Sequence, residues 1–253
     1  MNESWFVPEW KVHPRVRSAI TFRGNGFSSP PYDSFNLAKH VEDDSDRVDK
    51  NRALLRDSLL LPNEPKWLCQ THSTRVVEAA NIKPDSVDAD ASVTSESGVI
   101  CAVLTADCLP ILLANEEGSR VSAVHAGWRG LLDGVVQASV ACFAQNAAPV
   151  SAFLGPAIGP QAFEIGADVH DEYCDNYPSA HKTMRVSGEN KWLFDIYQMA
   201  RFILNDCGVD DVSGGNFCTY TDRDRFFSYR RDQLTGRMAS LIWLENPEVK
   251  PLK

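Results

Sequence analysis

Val99-Ile-Cys-Ala-Val-Leu104, Pro110-Ile-Leu-Leu-Ala114 and Arg120-Val-Ser-Ala-Val-His125 are three short apolar runs within one stretch of chain. Runs of this length, rich in β-branched residues and bounded by turn formers, read as buried strands. Asn115-Glu-Glu-Gly-Ser119 joins the last two as a hairpin turn. Directly after them Leu131, Leu132, Val135, Val136, Val140 and Phe143 recur at helical spacing, so a strand ending near His125 feeds a helix that starts near Gly130. Working outward, Asp46 to Leu60 carries Val48, Leu55 and Leu59 on one helical stripe with Ser45 as its cap. A third helix spans Phe194 to Cys207, with Ile196, Ala200, Ile203 and Cys207 on one face and Gly208 as its stop. Near the C-terminus, Phe226-Phe-Ser-Tyr229 and Met238 to Leu244 read as strands flanking a hairpin loop, Asp232 to Gly236. Strands and helices mixed without a regular βαβ alternation predict an α+β fold of packed layers.

The 253 residues contain no repeat, low-complexity run or Gly/Ser linker, so one domain over residues 1–253 is expected. A formal net charge of −9 argues against nucleic acid or an anionic membrane as partner and favours a small substrate. The first residues lack a basic segment followed by an apolar stretch, and no window approaches a membrane span. The expected compartment is therefore the cytoplasm. Seven cysteines without a C-x-x-C pair argue against a disulfide framework, a zinc ribbon and a thioredoxin-type motif.

His72 in Gln70-Thr-His72, Cys108 in Leu104-Thr-Ala-Asp-Cys108 and His125 in Val124-His-Ala-Gly-Trp-Arg-Gly130 form a set of two imidazoles and one thiol. That set suits Zn²⁺, and three protein ligands leave a fourth position for water or substrate. The three lie too far apart in sequence for a local metal finger, so only the fold can assemble them. Asp107 stands beside Cys108, placed to orient a ligand or take a proton. The helix start after His125 offers unpaired N–H groups with Arg129 beside them, an anion site in outline. Arg230, Arg231 and Arg237 gather at the predicted C-terminal hairpin, and arginine is suited to holding phosphate through two N–H bonds. The rigid Gly/Pro-rich loop Leu154 to Gly166 is of a kind that shapes a pocket, and Ser34-Phe-Asn36-Leu37 is a polar break able to line one.

Together these segments resemble the YfiH family of bacterial laccase-domain proteins, understood as purine nucleoside phosphorylases of broad activity. The match runs from about Thr21 to Leu244 through Ser34-Phe-Asn-Leu37, Gln70-Thr-His72, Leu104 to Pro110, Val124 to Gly130, Leu154 to Pro160 and Phe227 to Asp232 with Thr235-Gly-Arg237. The resemblance implies a layered α/β/β/α arrangement of mixed sheets and an active-site zinc held by His72, Cys108 and His125. It implies phosphorolysis of adenosine, inosine, guanosine and methylthioadenosine to base and sugar 1-phosphate, with adenosine deamination as a second activity. Purine nucleosides and phosphate are then the partners. By their own chemistry His72, Cys108, His125 and Asp107 are the catalytic candidates and Asn36, Arg129, Arg230, Arg231 and Arg237 the candidates for substrate or phosphate contact, with the choice among the arginines open. Arg23-Gly-Asn-Gly26 departs from the paired glycines common in the family but touches no proposed ligand.

Three other readings compete. In the first, Cys108 is the nucleophile and His125 the base of a cysteine hydrolase acting on a cell-wall precursor peptide, a peptidoglycan-editing role also associated with the family. The second is a copper oxidase, as the laccase label suggests; copper is disfavoured because type-3 clusters use H-x-H pairs and the six histidines contain none. The third is a structural zinc completed by Cys69 or Cys101. The H-x-E and P-C-x-x-C signatures of the standard zinc deaminases are absent, so deamination here would need a different site design. A monomer is expected, the oligomeric state itself being open.

Overall fold

The three runs around Cys108 are strands, but of two different sheets. In the computed structural model, which describes residues 4–144 and 148–246, they are β5 (Ile100–Thr105), β6 (Leu109–Asn115) and β7 (Val121–Ala126). β5 is an edge of a four-stranded antiparallel sheet with β1 (Trp5–Phe6), β2 (Val16–Thr21) and β13 (Met238–Leu244), in the order β1-β2-β13-β5. β6 and β7 form the expected hairpin at the centre of a six-stranded mixed sheet. Its other strands are β3 (Val76–Glu78), β4 (Ala91–Thr94), β8 (Val150–Leu154) and β12 (Asp211–Gly214), in the order β12-β8-β6-β7-β4-β3. The chain changes sheet within residues 106–108, a step that leaves Cys108 between the two.

Every residue of β5, β6 and β7 is buried, which explains why the runs are continuously apolar rather than alternating. The alternation survives in what each face meets. Ile100, Ala102 and Leu104 pack with Phe35, Leu55 and Trp67 beneath α1 (Ser45–Leu59). Cys101 and Val103 turn the other way and meet Leu112, Ala114, Val121 and Ala123 between the sheets. Leu109, Ile111, Leu113 and Val124 form the outer core with Leu131, Val135, Val136, Ile196, Ala200 and Ile203. These last belong to α2 (Trp128–Asp133), α3 (Val135–Ala141) and α5 (Ile196–Asp206). The layers are therefore α/β/β/α, as the resemblance implied. Burying each of the Leu, Ile and Val side chains among them contributes about 1.5–3 kcal/mol.

Several element boundaries differ from the sequence expectation. The cap of α1 is Asp44, whose carboxylate accepts from the Asp46 and Arg47 N–H groups, not Ser45. The helix after His125 begins at Trp128 and is broken at Gly134, whose φ of 103° no helical residue adopts, so the periodic stripe is carried by α2 and α3 in turn. Phe194 closes strand β11 (Lys191–Phe194), and α5 starts only after its Asp195 cap. β11 belongs to a small sheet with β9 (Glu164–Gly166) and β10 (Met184–Gly188), next to α4 (Ala167–Asn176), that the sequence did not announce. The expected C-terminal hairpin is absent: residues 226–228 form no strand and Tyr229–Asp232 is a short helix, α6, capped by the Ser228 hydroxyl. Among the described residues no helix is long and apolar enough to cross a membrane.

The Gly/Pro-rich loop after β8 is pinned to the crossing point. Gly155 N–H donates to Pro110 O (2.9 Å) and Ile158 N–H to Asp107 O (3.0 Å), while Ala157 N–H donates to the buried Tyr197 hydroxyl (2.7 Å). Tyr197→Phe removes that acceptor and strands a buried N–H, so it is expected to lower stability by about 1–3 kcal/mol. Urea denaturation measures the loss, and an unchanged midpoint would contradict the role given to this hydroxyl.

Candidate metal centre and adjoining cavity

Asp90 is wholly buried just before β4, and sequence reasoning did not single it out. Its carboxylate accepts from the backbone N–H groups of Thr71 (3.1 Å), His72 (2.9 Å) and Ser73 (2.6 Å), from the Ser73 hydroxyl (2.7 Å), and pairs with His125 Nδ1 (2.7 Å). The loop carrying His72 is thus wrapped around one carboxylate, with His72 itself held at a φ of 60°. His125 lies on β7 opposite Pro110 of β6, and its Nδ1 bond to Asp90 leaves Nε2 to face Cys108. Cys108 Sγ lies 3.8 Å from His72 Nε2.

The nearest ligand atoms of His72, Cys108 and His125 all lie within 4.8 Å of one another, the one group of three among the described residues able to hold a metal ion. Gly127 makes room for them: a Cβ there would stand 2.8 Å from His72 Cδ2 and 3.0 Å from Cys108 Sγ. Burial opposes ionisation of the Cys108 thiol, but the His125 and His72 imidazoles outweigh it and lower its pKa. Burial likewise opposes the charged form of His125, yet the Cys108 thiolate and the Asp90 carboxylate raise its pKa. Asp90 is held well below the usual carboxylate range, its His125 and Ser73 hydrogen bonds overcoming its desolvation. A thiol that gives up its proton readily beside two imidazoles, one of them oriented by a carboxylate, is a donor set that fits a metal, which on binding would displace the protons these groups share. Cys101 is buried between the sheets with its thiol pushed up to about 12, and it is not part of the set. Cys69 is likewise outside it.

The set opens into a cavity of about 530 Å³, within the ~300–1,000 Å³ usual for small-molecule sites. Trp128, Phe163 and Tyr229 line it with aromatic surface, and Ile158 and Ile196 with aliphatic surface. Asp107 also lines it, at a φ of 88°. Its carboxylate accepts from Thr219 Oγ1 (2.5 Å), Ser228 Oγ (3.0 Å) and Arg230 N–H (2.6 Å). Asp107 thereby ties α6 to the Cys108 crossing.

The four arginines separate. Arg230 and Arg237 line the cavity. Arg231 is spent on the carbonyls of Thr219, Tyr220 and Phe226 and on Asp232, so it braces the 219–232 segment. Arg129 lies outside the cavity lining, exposed, with its guanidinium 4.5 Å over the Trp128 ring. The structure therefore does not bring it to the anion site outlined from sequence. Asn36 is fully buried and also outside the lining; its amide bonds Ala38, Asp43 Oδ2 and the Arg237 N–H, so it supports Arg237. His40 lines the cavity without having been singled out in the sequence, and Gln70, read there only as part of the motif around His72, lines it too. Gln70 pairs through both ends of its amide with the Leu104 backbone, at 2.7 Å each; only its place beside His72 could have flagged it.

Residues 17–245 match the family described as "Multi-copper polyphenol oxidoreductase laccase". Purine nucleoside phosphorylase YfiH of Escherichia coli (strain K12) is 47% identical over 94% of this chain and 98% of its own length. A purine nucleoside phosphorylase of Pseudomonas aeruginosa is 44% identical over 96% of this chain and 99% of its own. Among solved structures, a Neisseria meningitidis protein superposes with a TM-score of 0.92 at 45% identity, covering 96% of this chain and 100% of that one. YlmD from Geobacillus stearothermophilus superposes with a TM-score of 0.88 at 26% identity, covering 97% and 98%.

Asp90→Asn keeps the size of the side chain but removes the charge that pairs with His125 and gathers the His72 loop. It is expected to weaken divalent-metal affinity ~10- to 100-fold, read with Zn²⁺ in competition against a chromophoric chelator. An unchanged affinity would show that Asp90 does not orient the ligands.

Proposed function

Because the chain belongs to the YfiH family of laccase-domain proteins, we propose that it is a zinc-dependent purine nucleoside phosphorylase with adenosine deaminase activity. The observation that carries this reading is the opening of the His72, Cys108 and His125 set into a cavity lined by both aromatic rings and arginines. His72, Cys108 and His125 would hold the ion, which when bound supplies Lewis acidity beside the substrate. The family description names a copper oxidase, but a lone two-histidine, one-cysteine group offers no multi-copper cluster among the described residues.

The chain's own residues supply the rest. Trp128, Phe163 and Tyr229 offer flat apolar faces to a purine. Arg230 and Arg237 offer guanidinium donors to phosphate. In phosphorolysis a phosphate oxygen attacks the sugar C1′, the C1′–N9 electron pair leaves with the purine, and the purine takes up a proton. Holding the anion and the nucleoside in one water-poor cleft lowers the cost of bringing them together. Adenosine, inosine, guanosine and methylthioadenosine share this bond and form the proposed substrate class. In deamination, water replaces the adenine amino group and ammonia leaves.

A second reading has one specific observation in its favour. Cys108, His125 and Asp90 stand in the order nucleophile, base and orienting carboxylate, the arrangement of a cysteine hydrolase. Zinc content separates the two: Cys108→Ala is expected to lose most bound zinc by elemental analysis, and full retention would make the thiolate a nucleophile instead. The reaction itself is tested by incubating the protein with adenosine, with and without phosphate. Adenine formed only with phosphate, together with inosine formed in either condition, is the expected result. Failure to form either product would overturn the proposal.

A further inference from the structure

Among the described residues, His40 is the histidine whose ring nitrogens no protein group engages, while the other five each have a ring nitrogen held by a neighbour. It stands on the rim of the same cavity as the metal-ligand set. Its segment is tied to Arg237: Asn36 Oδ1 accepts from both Ala38 N–H (3.1 Å) and Arg237 N–H (2.9 Å), and Leu37 N–H donates to Arg237 O. One buried amide thus ties the backbone at Arg237 to the segment that leads to His40. Arg237 Nη1 is used by the Thr235 and Gly236 carbonyls, which leaves Nη2 and Nε without a protein acceptor among the described residues.

We infer that His40 and Arg237 act together as the grip on inorganic phosphate, His40 donating a ring N–H to one phosphate oxygen and Arg237 its free N–H groups to others. This rests on the phosphorylase reading and adds a residue to it. Desolvation at the cavity rim and the neighbouring Arg237 cation hold the His40 pKa below the ordinary histidine value, and an imidazole in its neutral form carries one N–H and one lone pair. A monohydrogen phosphate presents the matching groups, oxygen acceptors and one O–H. A rim position beside a guanidinium also suits a reactant that must enter and leave separately from the nucleoside.

The test is adenosine phosphorolysis by His40→Ala and His40→Gln across a phosphate titration, with zinc content measured on the same samples. His40→Ala is expected to raise the KM for phosphate about tenfold, the loss of one hydrogen bond to a charged group, with the KM for adenosine and the zinc content within twofold of wild type. His40→Gln, which keeps an N–H donor, is expected to recover part of the loss. An unchanged phosphate KM in His40→Ala, or equal rises in both KM values, overturns the inference while leaving the phosphorylase reading intact. Absence of adenine from the wild type overturns that reading first. Should His40→Ala fail to fold, NMR of the histidine rings in the wild-type protein titrated with inorganic phosphate decides: a saturable shift of the His40 resonances supports the grip, and their indifference refutes it.

Discussion

The buried carboxylate of Asp90 is the interaction on which the candidate site depends. A charge without water costs several kcal/mol unless other groups solvate it. Here three successive backbone N–H groups, a hydroxyl and an imidazole do so. The same bonds that solvate the carboxylate bend the 71–73 loop and orient His125, so carboxylate, loop and ligand geometry stand or fall together. The depressed pKa of Asp90 carries a linkage consequence: its contribution to stability is present above the unfolded value near 4 and is lost as pH falls toward the folded value.

The second constraint is topological. β5 and β6 lie in different sheets with three residues between them, so Asp107 and Cys108 sit at the crossing from one sheet to the other. Asp107 fixes this crossing to α6 through Ser228 and Arg230, and the Ile158 N–H fixes it to the Gly/Pro-rich loop. The cavity is the space those ties enclose. Its metal-ligand end is built on strand termini and a tightly bonded loop. Its arginine end is built on the short helix α6 and the segment before β13. Placement of the ligand set on bonded strand ends suits a resident metal, and an exposed Arg230 beside a half-buried Arg237 suits an exchanging anion.

What was legible in the sequence follows from how local each signal is. The runs of residues 99–125 declared themselves because strands covered on both faces must be apolar throughout. Helices α1 and α5 did so because each covers one face of a core and therefore repeats at helical spacing. Residues 226–229 misled because Phe226 and Phe227 are buried as core side chains of an irregular segment, which β-propensity cannot distinguish from a strand. Cys108, His72 and His125 were visible as a chemically coherent set. Asp90 was not, since its role exists only through contacts with residues far from it in sequence. Arg129 is a related case: adjacency to a ligand along the chain does not set where a helical side chain points, and its guanidinium lies over Trp128.

The account turns on a metal held by one thiolate and two imidazoles with room left for a reactant. X-ray absorption at the zinc edge of the loaded protein tests that most directly. One sulfur at ~2.3 Å, two imidazole nitrogens at ~2.0–2.1 Å and one further light scatterer are predicted. A second sulfur, or a shell closed by four protein ligands, would make the ion structural and would contradict the proposed site.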